Sequence, residues 1–134
     1  MSLVTYESAG RIAHIQLNRA EKLNALSNQL VLELRDQLEA FQASDDRVAI
    51  ISAAGDKAFS VGADLKEPPR DPELWECMPG TGVFIDKPII AAVHGYIVGG
   101  AYCLVQFCDL CVADETADFF YPEAQIGFCG GMIA

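Results

Sequence analysis

The sequence predicts an α/β fold, and three observations carry that prediction. Apolar and polar residues alternate over residues 4–7 and 11–18, on either side of residues 8–10, as in an antiparallel hairpin with one wetted face. An amphipathic helix follows, and a short β-branched run at residues 48–52 then predicts a third strand. The order strand, strand, helix, strand is typical of a sheet covered by helices.

The helix is predicted from an apolar stripe and an N-cap. Ser27 can accept a free N–H of the first turn. The apolar residues recur at intervals of four, four and three residues, which places them on one helix face. They are Leu30, Leu34, Leu38 and Phe41. We predict that this helix runs from Ser27 to about Ser44.

Further elements are predicted in the second half. The continuous apolar run at residues 89–93 indicates a strand buried on both faces, and residues 110–113 indicate another apolar strand. A buried helix is predicted from Gly99 and Gly100 to about Phe107. Residues 68–82 hold four of the six prolines, which predicts a mobile flap with a helical turn or two at residues 74–78. Residues 130–134 are predicted to be the first turn of a helix.

Composition limits the function classes. The chain has 134 residues, of which 51% are hydrophobic and 21% charged, so we expect one globular domain over residues 1–134. A net charge of −10 with only nine Lys and Arg residues argues against a nucleic-acid partner. No apolar run is long enough for a membrane span, and the N-terminus lacks the pattern of a secretory signal, which predicts a cytoplasmic protein without a membrane partner.

The five cysteines are odd in number and lie mostly in apolar segments, which favours reduced, buried thiols. Cys108 and Cys111 match a Cys-x-x-Cys pattern, but no second pair with zinc spacing accompanies them. No metal site is therefore predicted.

Four motifs occur in order along the chain. They read NRAEKLNALS at 18–27, KAFSVGADL at 57–65, AAVHGYIVGGA at 91–101 and FYPEAQIG at 120–127. Together they resemble the enoyl-CoA hydratase/isomerase, or crotonase, family. The likeness covers essentially the whole chain but only the N-terminal part of a family member, so the C-terminal helical part is expected to be absent from this chain.

The resemblance implies a crotonase-like spiral of β-β-α units that acts on acyl-CoA thioesters. It implies a homotrimer or a dimer of trimers, and no cofactor other than the coenzyme A of the substrate. The oxyanion of an enolate would be held by the backbone N–H groups of Ala63 and Gly100. Carbonyl groups of Val61 and Ala63 would accept from adenine, and Lys57 and Lys66 would meet phosphates. Lys22 and Arg19 are weaker phosphate candidates, and Asp64 is expected to support the turn.

Two acids hold and activate water in hydratases of this family, and the matching positions are Cys103 and Glu123. The second acid is present, but the first is a thiol, which cannot accept hydrogen bonds from water as a carboxylate does. Isomerisation needs only one acid/base, which removes a proton from one carbon and returns it to another. Cys103 is read as an inert core thiol in preference to a nucleophile.

Three functions therefore stay open. The first is enoyl-CoA hydration and the second is enoyl-CoA isomerisation. The third is a non-catalytic acyl-CoA-binding or incomplete chain, which is suggested by the missing acid and by the early end of the sequence.

Overall fold

The first half of the fold is built on a β-hairpin. In the computed structural model, which describes residues 1–67 and 73–127, β1 (Val4–Ala9) pairs antiparallel with β2 (Ile12–Leu17). Gly10 and Arg11 connect the strands with φ of 60° and 64°. Such left-handed values suit a two-residue turn between twisted strands. The predicted hairpin is confirmed, but its turn lies at Gly10 and Arg11.

The amphipathic helix α1 (Asn28–Ala43) follows the hairpin and covers it. The Ser27 hydroxyl accepts the N–H of Leu30 at 3.2 Å, so the predicted N-cap is confirmed. The apolar stripe is buried as predicted, and Val31 is buried with it. The buried residues of α1 are Leu30, Val31, Leu34, Leu38 and Phe41.

The next six strands alternate between two sheets. They are β3 (Val48–Ala53), β4 (Ala58–Ser60), β5 (Ile89–Val93), β6 (Tyr96–Val98), β7 (Leu110–Ala113) and β8 (Asp118–Phe120). The larger sheet has the order β1-β2-β3-β5-β7, and the smaller sheet has the order β4-β6-β8 with parallel pairs. Each advance of the chain adds one strand to the large sheet and the next to the small one. The result is a spiral.

Two helical segments complete the described fold. Helix α2 (Gly100–Gln106) follows β6 directly, and Phe107 is its C-cap, as predicted. A 3-10 helix at Leu74–Cys77 confirms the helical turn predicted in the flap. Glu76 of this turn pairs with Arg35 of α1 at 3.2 Å, and Cys77 is buried. Residues 74–78 are therefore packed against α1 and not detached from the core.

Of the two strands predicted in the second half, both are observed, but the predicted burial of the first needs correction. Strand β5 is not buried on both faces, because Ile90 and Ala92 are only half-buried. The strand predicted at residues 110–113 is confirmed as β7; it is the edge strand of the large sheet in the described part of the chain, and its Leu110 and Val112 are 62% and 63% exposed. The short strands β4, β6 and β8 were not predicted, because three residues are too few to show a period.

Two predictions fall on residues outside the described part of the chain. They are the first five residues, 68–72, of the flap predicted over residues 68–82, and the helical turn at residues 130–134. Within residues 1–67 and 73–127, no helix is both long and apolar enough to cross a membrane.

A buried asparagine fixes the loop between β2 and α1. Asn24 is fully buried in the left-handed conformation with φ of 52°. Its amide nitrogen donates to the carbonyl groups of Ala54 and Ala58, and its oxygen accepts the N–H of Arg19. The loop is thereby attached to the chain that enters β4.

We expect Asn24→Ala to lower the free energy of unfolding by about 2 to 4 kcal/mol, because it leaves buried polar groups without partners. Denaturant unfolding monitored by circular dichroism measures the change. Asn18→Ala is the matched control, since the Asn18 side chain makes one exposed hydrogen bond, and its effect should be under about 1 kcal/mol. Equal effects of the two variants would contradict the role of Asn24.

Candidate active site

Three of the sequence motifs meet at one edge of the small sheet. Strands β4, β6 and β8 are parallel, so their carboxyl ends lie at the same edge. Ala63 follows β4, Gly100 follows β6, and Glu123 follows β8. The sheet therefore brings together the predicted catalytic residues, although its strands were not foreseen.

The amide of Ala63 points away from the loop that precedes α1. Ala63 forms a parallel bridge with Leu26, which donates to the Gly62 carbonyl at 2.8 Å and accepts from the Asp64 N–H at 3.3 Å. In a parallel bridge the hydrogen bonds are made by the residues before and after the bridged residue, so the N–H of Ala63 itself faces away from Leu26. It donates no hydrogen bond among the described residues.

Gly62 allows this loop to approach the start of α2. A Cβ added to Gly62 would lie 2.5 Å from the Val98 carbonyl oxygen and 3.1 Å from the Gly100 nitrogen. Gly62 also has φ of 80°, which disfavours any other residue. The Gly100 N–H is at the first position of α2 and donates to no described residue. Two free backbone N–H groups are therefore close neighbours.

Glu123 lies against the same turn. A Cβ added to Gly99 would collide with Oε1 of Glu123, so the carboxylate rests on the glycine immediately before Gly100. Its Oε2 atom is buried and has no hydrogen-bond partner in the described part of the chain. Gly99 itself has φ of 55°, so a glycine is needed there for both conformation and space.

Cys103 lies one helical turn beyond Gly99, whose carbonyl accepts the Cys103 N–H at 3.2 Å. Only 2% of the residue is exposed. Burial raises the pKa of the thiol, and the negative charge of Glu123 raises it further. A neutral thiol therefore lies near the carboxylate, which agrees with the preference for an inert thiol over a nucleophile.

The other cysteines give no support to redox or metal chemistry. Burial raises the pKa of Cys108 to about 12, and burial also raises the pKa of Cys111. Among the described residues, no group of three or more His, Cys, Asp or Glu side chains is arranged to hold a metal ion. Cys129 lies outside the described residues.

A groove of about 530 Å³ contains three of the four residues predicted to bind coenzyme A. Val61, Ala63 and Lys66 line it together with Lys22 and Arg19. The structure separates Lys57 from them, because this residue lines two neighbouring grooves on the other side of Leu23.

Arg19 and Asp64 are already engaged with each other. Nη1 of Arg19 lies 2.7 Å from Oδ2 of Asp64, and the two side chains are 16% and 14% exposed. Oδ1 of Asp64 accepts the N–H of Lys66 at 3.1 Å, so Asp64 supports the turn, as expected.

Sequence reasoning missed Leu26, Asn24 and this ion pair. They lie within the motifs at 18–27 and 57–65, but only tertiary contacts reveal their partners.

Comparison with known proteins extends over most of the chain. A family model described as enoyl-CoA hydratase/isomerase matches residues 7–134. The chain belongs to this family. The mitochondrial enoyl-CoA hydratase of Pongo abelii is 40% identical over 124 residues, covering 87% of this chain and 42% of the relative. The (E)-benzylidenesuccinyl-CoA hydratase of Thauera aromatica is 33% identical, covering 96% of this chain and 54% of the relative.

Solved structures of the family share the fold. Carnitinyl-CoA hydratase from Mycobacterium avium aligns with a TM-score of 0.86 and 34% identity, over 98% of this chain and 54% of that chain. The predicted α/β crotonase-like spiral is thereby confirmed. The chain spans about half the length of the curated relatives it matches.

The ion pair predicts a pH dependence of stability. The hydrogen bond from Arg19, followed by that from the Lys66 N–H, lowers the pKa of Asp64 below its ordinary value of 3.8. A lowered carboxyl pKa adds stability that is complete above the unfolded pKa and lost as the pH falls through the folded one. We expect Asp64→Asn to be less stable than the wild type by a constant amount above about pH 5, with the difference shrinking below pH 3.8.

Denaturant unfolding at a series of pH values measures this difference. Asp56→Asn is the matched control, since Asp56 is an exposed carboxylate outside the ion pair. A difference between wild type and Asp64→Asn that stays constant down to about pH 2 would show that the ion pair does not contribute.

Proposed function

We propose that the protein is an acyl-CoA enzyme of the enoyl-CoA hydratase/isomerase type, with Glu123 as general acid/base. The observation that carries the proposal is the buried Oε2 of Glu123, which has no partner among the described residues. A buried oxygen without a donor is costly unless a ligand supplies one or a proton is exchanged there. Glu123 is thus available to take a proton from an acyl chain and to return it.

The N–H groups of Ala63 and Gly100 would hold the thioester oxygen. Both are free in the described part of the chain, and Gly62 lets their loops converge. Charge develops on this oxygen when an α-proton leaves or a nucleophile adds to the β-carbon. A preorganised donor of this kind contributes about 3 to 4 kcal/mol of transition-state stabilisation.

The coenzyme A part would lie in the groove beside the same loop. Carbonyl groups of Val61 and Ala63 would accept from the adenine amino group, and Lys66 and Lys22 would meet the phosphates. Lys57 keeps its proposed role only for a phosphate that reaches beyond Leu23. The trimer or dimer of trimers that the resemblance implies stays a prediction.

Hydration and isomerisation are the two candidate reactions, each favoured by one observation. Relatives named as hydratases favour hydration, in which the hydroxyl of water adds to the β-carbon and a proton to the α-carbon. The neutral thiol of Cys103 favours isomerisation, because Glu123 alone can move a proton between the α and γ carbons. We propose that both reactions pass through a thioester enolate, and that isomerisation is the alternative to hydration.

We expect Glu123→Gln to lower kcat for an enoyl-CoA about 10²- to 10⁴-fold, because the amide keeps the shape but cannot exchange a proton. Absorbance of the conjugated thioester measures turnover, and calorimetry with butyryl-CoA tests binding. Glu115→Gln, an exposed carboxylate outside the site, is the matched control. Butyryl-CoA binding without turnover of any enoyl-CoA by the wild type would favour the non-catalytic alternative.

Replacement of the thiol tests the choice of reaction. We expect Cys103→Glu to raise the ratio of hydration to isomerisation about tenfold or more, because a second carboxyl group can hold water. Cys103→Gln controls for the change in size, and product analysis by chromatography gives the ratio. Efficient hydration by both the wild type and Cys103→Ala would refute the need for two acids.

A further inference from the structure

The loop that carries Ala63 is held to the protein by a few main-chain bonds. The N–H of Val61 donates to the Leu23 carbonyl at 3.2 Å. The Leu26 bridge adds one bond of 2.8 Å and one of 3.3 Å. The bond from the Asp64 N–H is the longest of the three and lies just beyond the usual range of about 2.7 to 3.2 Å.

A single guanidinium group spans the end of this bridge. Nη1 of Arg19 donates to the Ala25 carbonyl at 3.0 Å and to Oδ2 of Asp64 at 2.7 Å. Ala25 precedes Leu26 and Asp64 follows Ala63, so one nitrogen joins the two strands of the bridge. The bond to Asp64 is charge-assisted and little exposed, and such bonds are about twice as strong as neutral ones.

Arg19 is itself fixed in place. Its N–H donates to the side chain of Asn24 at 2.9 Å, and Asn24 is fully buried. The chain from Asn24 through Arg19 to Asp64 is therefore continuous. It ends on the residue after the proposed oxyanion donor.

The basic side chains of the groove differ in burial and in whether they form an ion pair. Arg19 is partly buried and bound to Asp64. Lys22 and Lys66 are exposed and take part in no ion pair among the described residues. A phosphate would therefore meet the lysines, whereas binding by Arg19 would require it to leave Asp64.

We propose that the Arg19–Asp64 ion pair is a positioning element that fixes the direction of the Ala63 N–H, and that Arg19 does not act as a phosphate ligand. The inference rests on the proposed oxyanion role of Ala63. It assigns Arg19 and Lys66, which line one groove, to different steps: Lys66 to binding and Arg19 to the stability of the transition state.

Steady-state kinetics on an enoyl-CoA separate the two roles. Arg19→Gln and Asp64→Asn are each expected to lower kcat about tenfold with KM changed less than twofold, because a misdirected donor weakens the transition state selectively. The double variant should be no worse than either single variant, since both remove one interaction. Arg19→Lys should recover part of kcat, whereas Lys66→Gln should raise KM by a larger factor than it lowers kcat.

Amide hydrogen exchange supplies a readout independent of turnover. The Leu26 and Asp64 amides, which form the bridge, should exchange faster in Arg19→Gln than in the wild type. A raised KM with unchanged kcat in Arg19→Gln would identify a phosphate ligand and overturn the inference while the proposed function stands. Faster exchange without loss of kcat would mean that the ion pair has only a structural role, and this result would also overturn the inference. A wild type that turns over no acyl-CoA would overturn both.

Discussion

The parallel pairing of β6 with β4 and β8 is the constraint on which the site depends. Because all three strands run the same way, the segments that follow them emerge at one edge. Those segments carry two free N–H groups and one carboxylate, contributed from sequence positions as far apart as Ala63 and Glu123. The large sheet holds this arrangement in place, since each small-sheet strand follows directly on a strand of the large sheet.

Glycines make the convergence possible at two points. Gly62 lies against the Gly100 amide, and Gly99 lies against the Glu123 carboxylate. Both have positive φ, so a side chain would be strained even where space allowed it.

The chemistry of the site is set by what surrounds Glu123. The Cys103 thiol lies nearby, and its pKa is raised by burial and by the negative charge of Glu123. The Glu123 carboxylate lies against Gly99, and its Oε2 atom has no hydrogen-bond partner among the described residues. The adjoining groove is lined by three basic and three acidic residues, of which Lys22 and Lys66 are exposed and Arg19 is paired with Asp64.

The sequence by itself determined the hairpin, the capped amphipathic helix and the family motifs, because these depend on local periodicity and on residue identity. It also indicated that Cys103 is buried, since this residue lies in an apolar run. Only the tertiary structure decided how the motifs meet. The strands β4, β6 and β8 are too short to show a pattern. The direction of the Ala63 amide depends on its bridge to Leu26. Lys57 is separated from Lys66 by Leu23, which lines the grooves of both. Each of these features arises from contacts between distant parts of the chain, which local sequence does not encode.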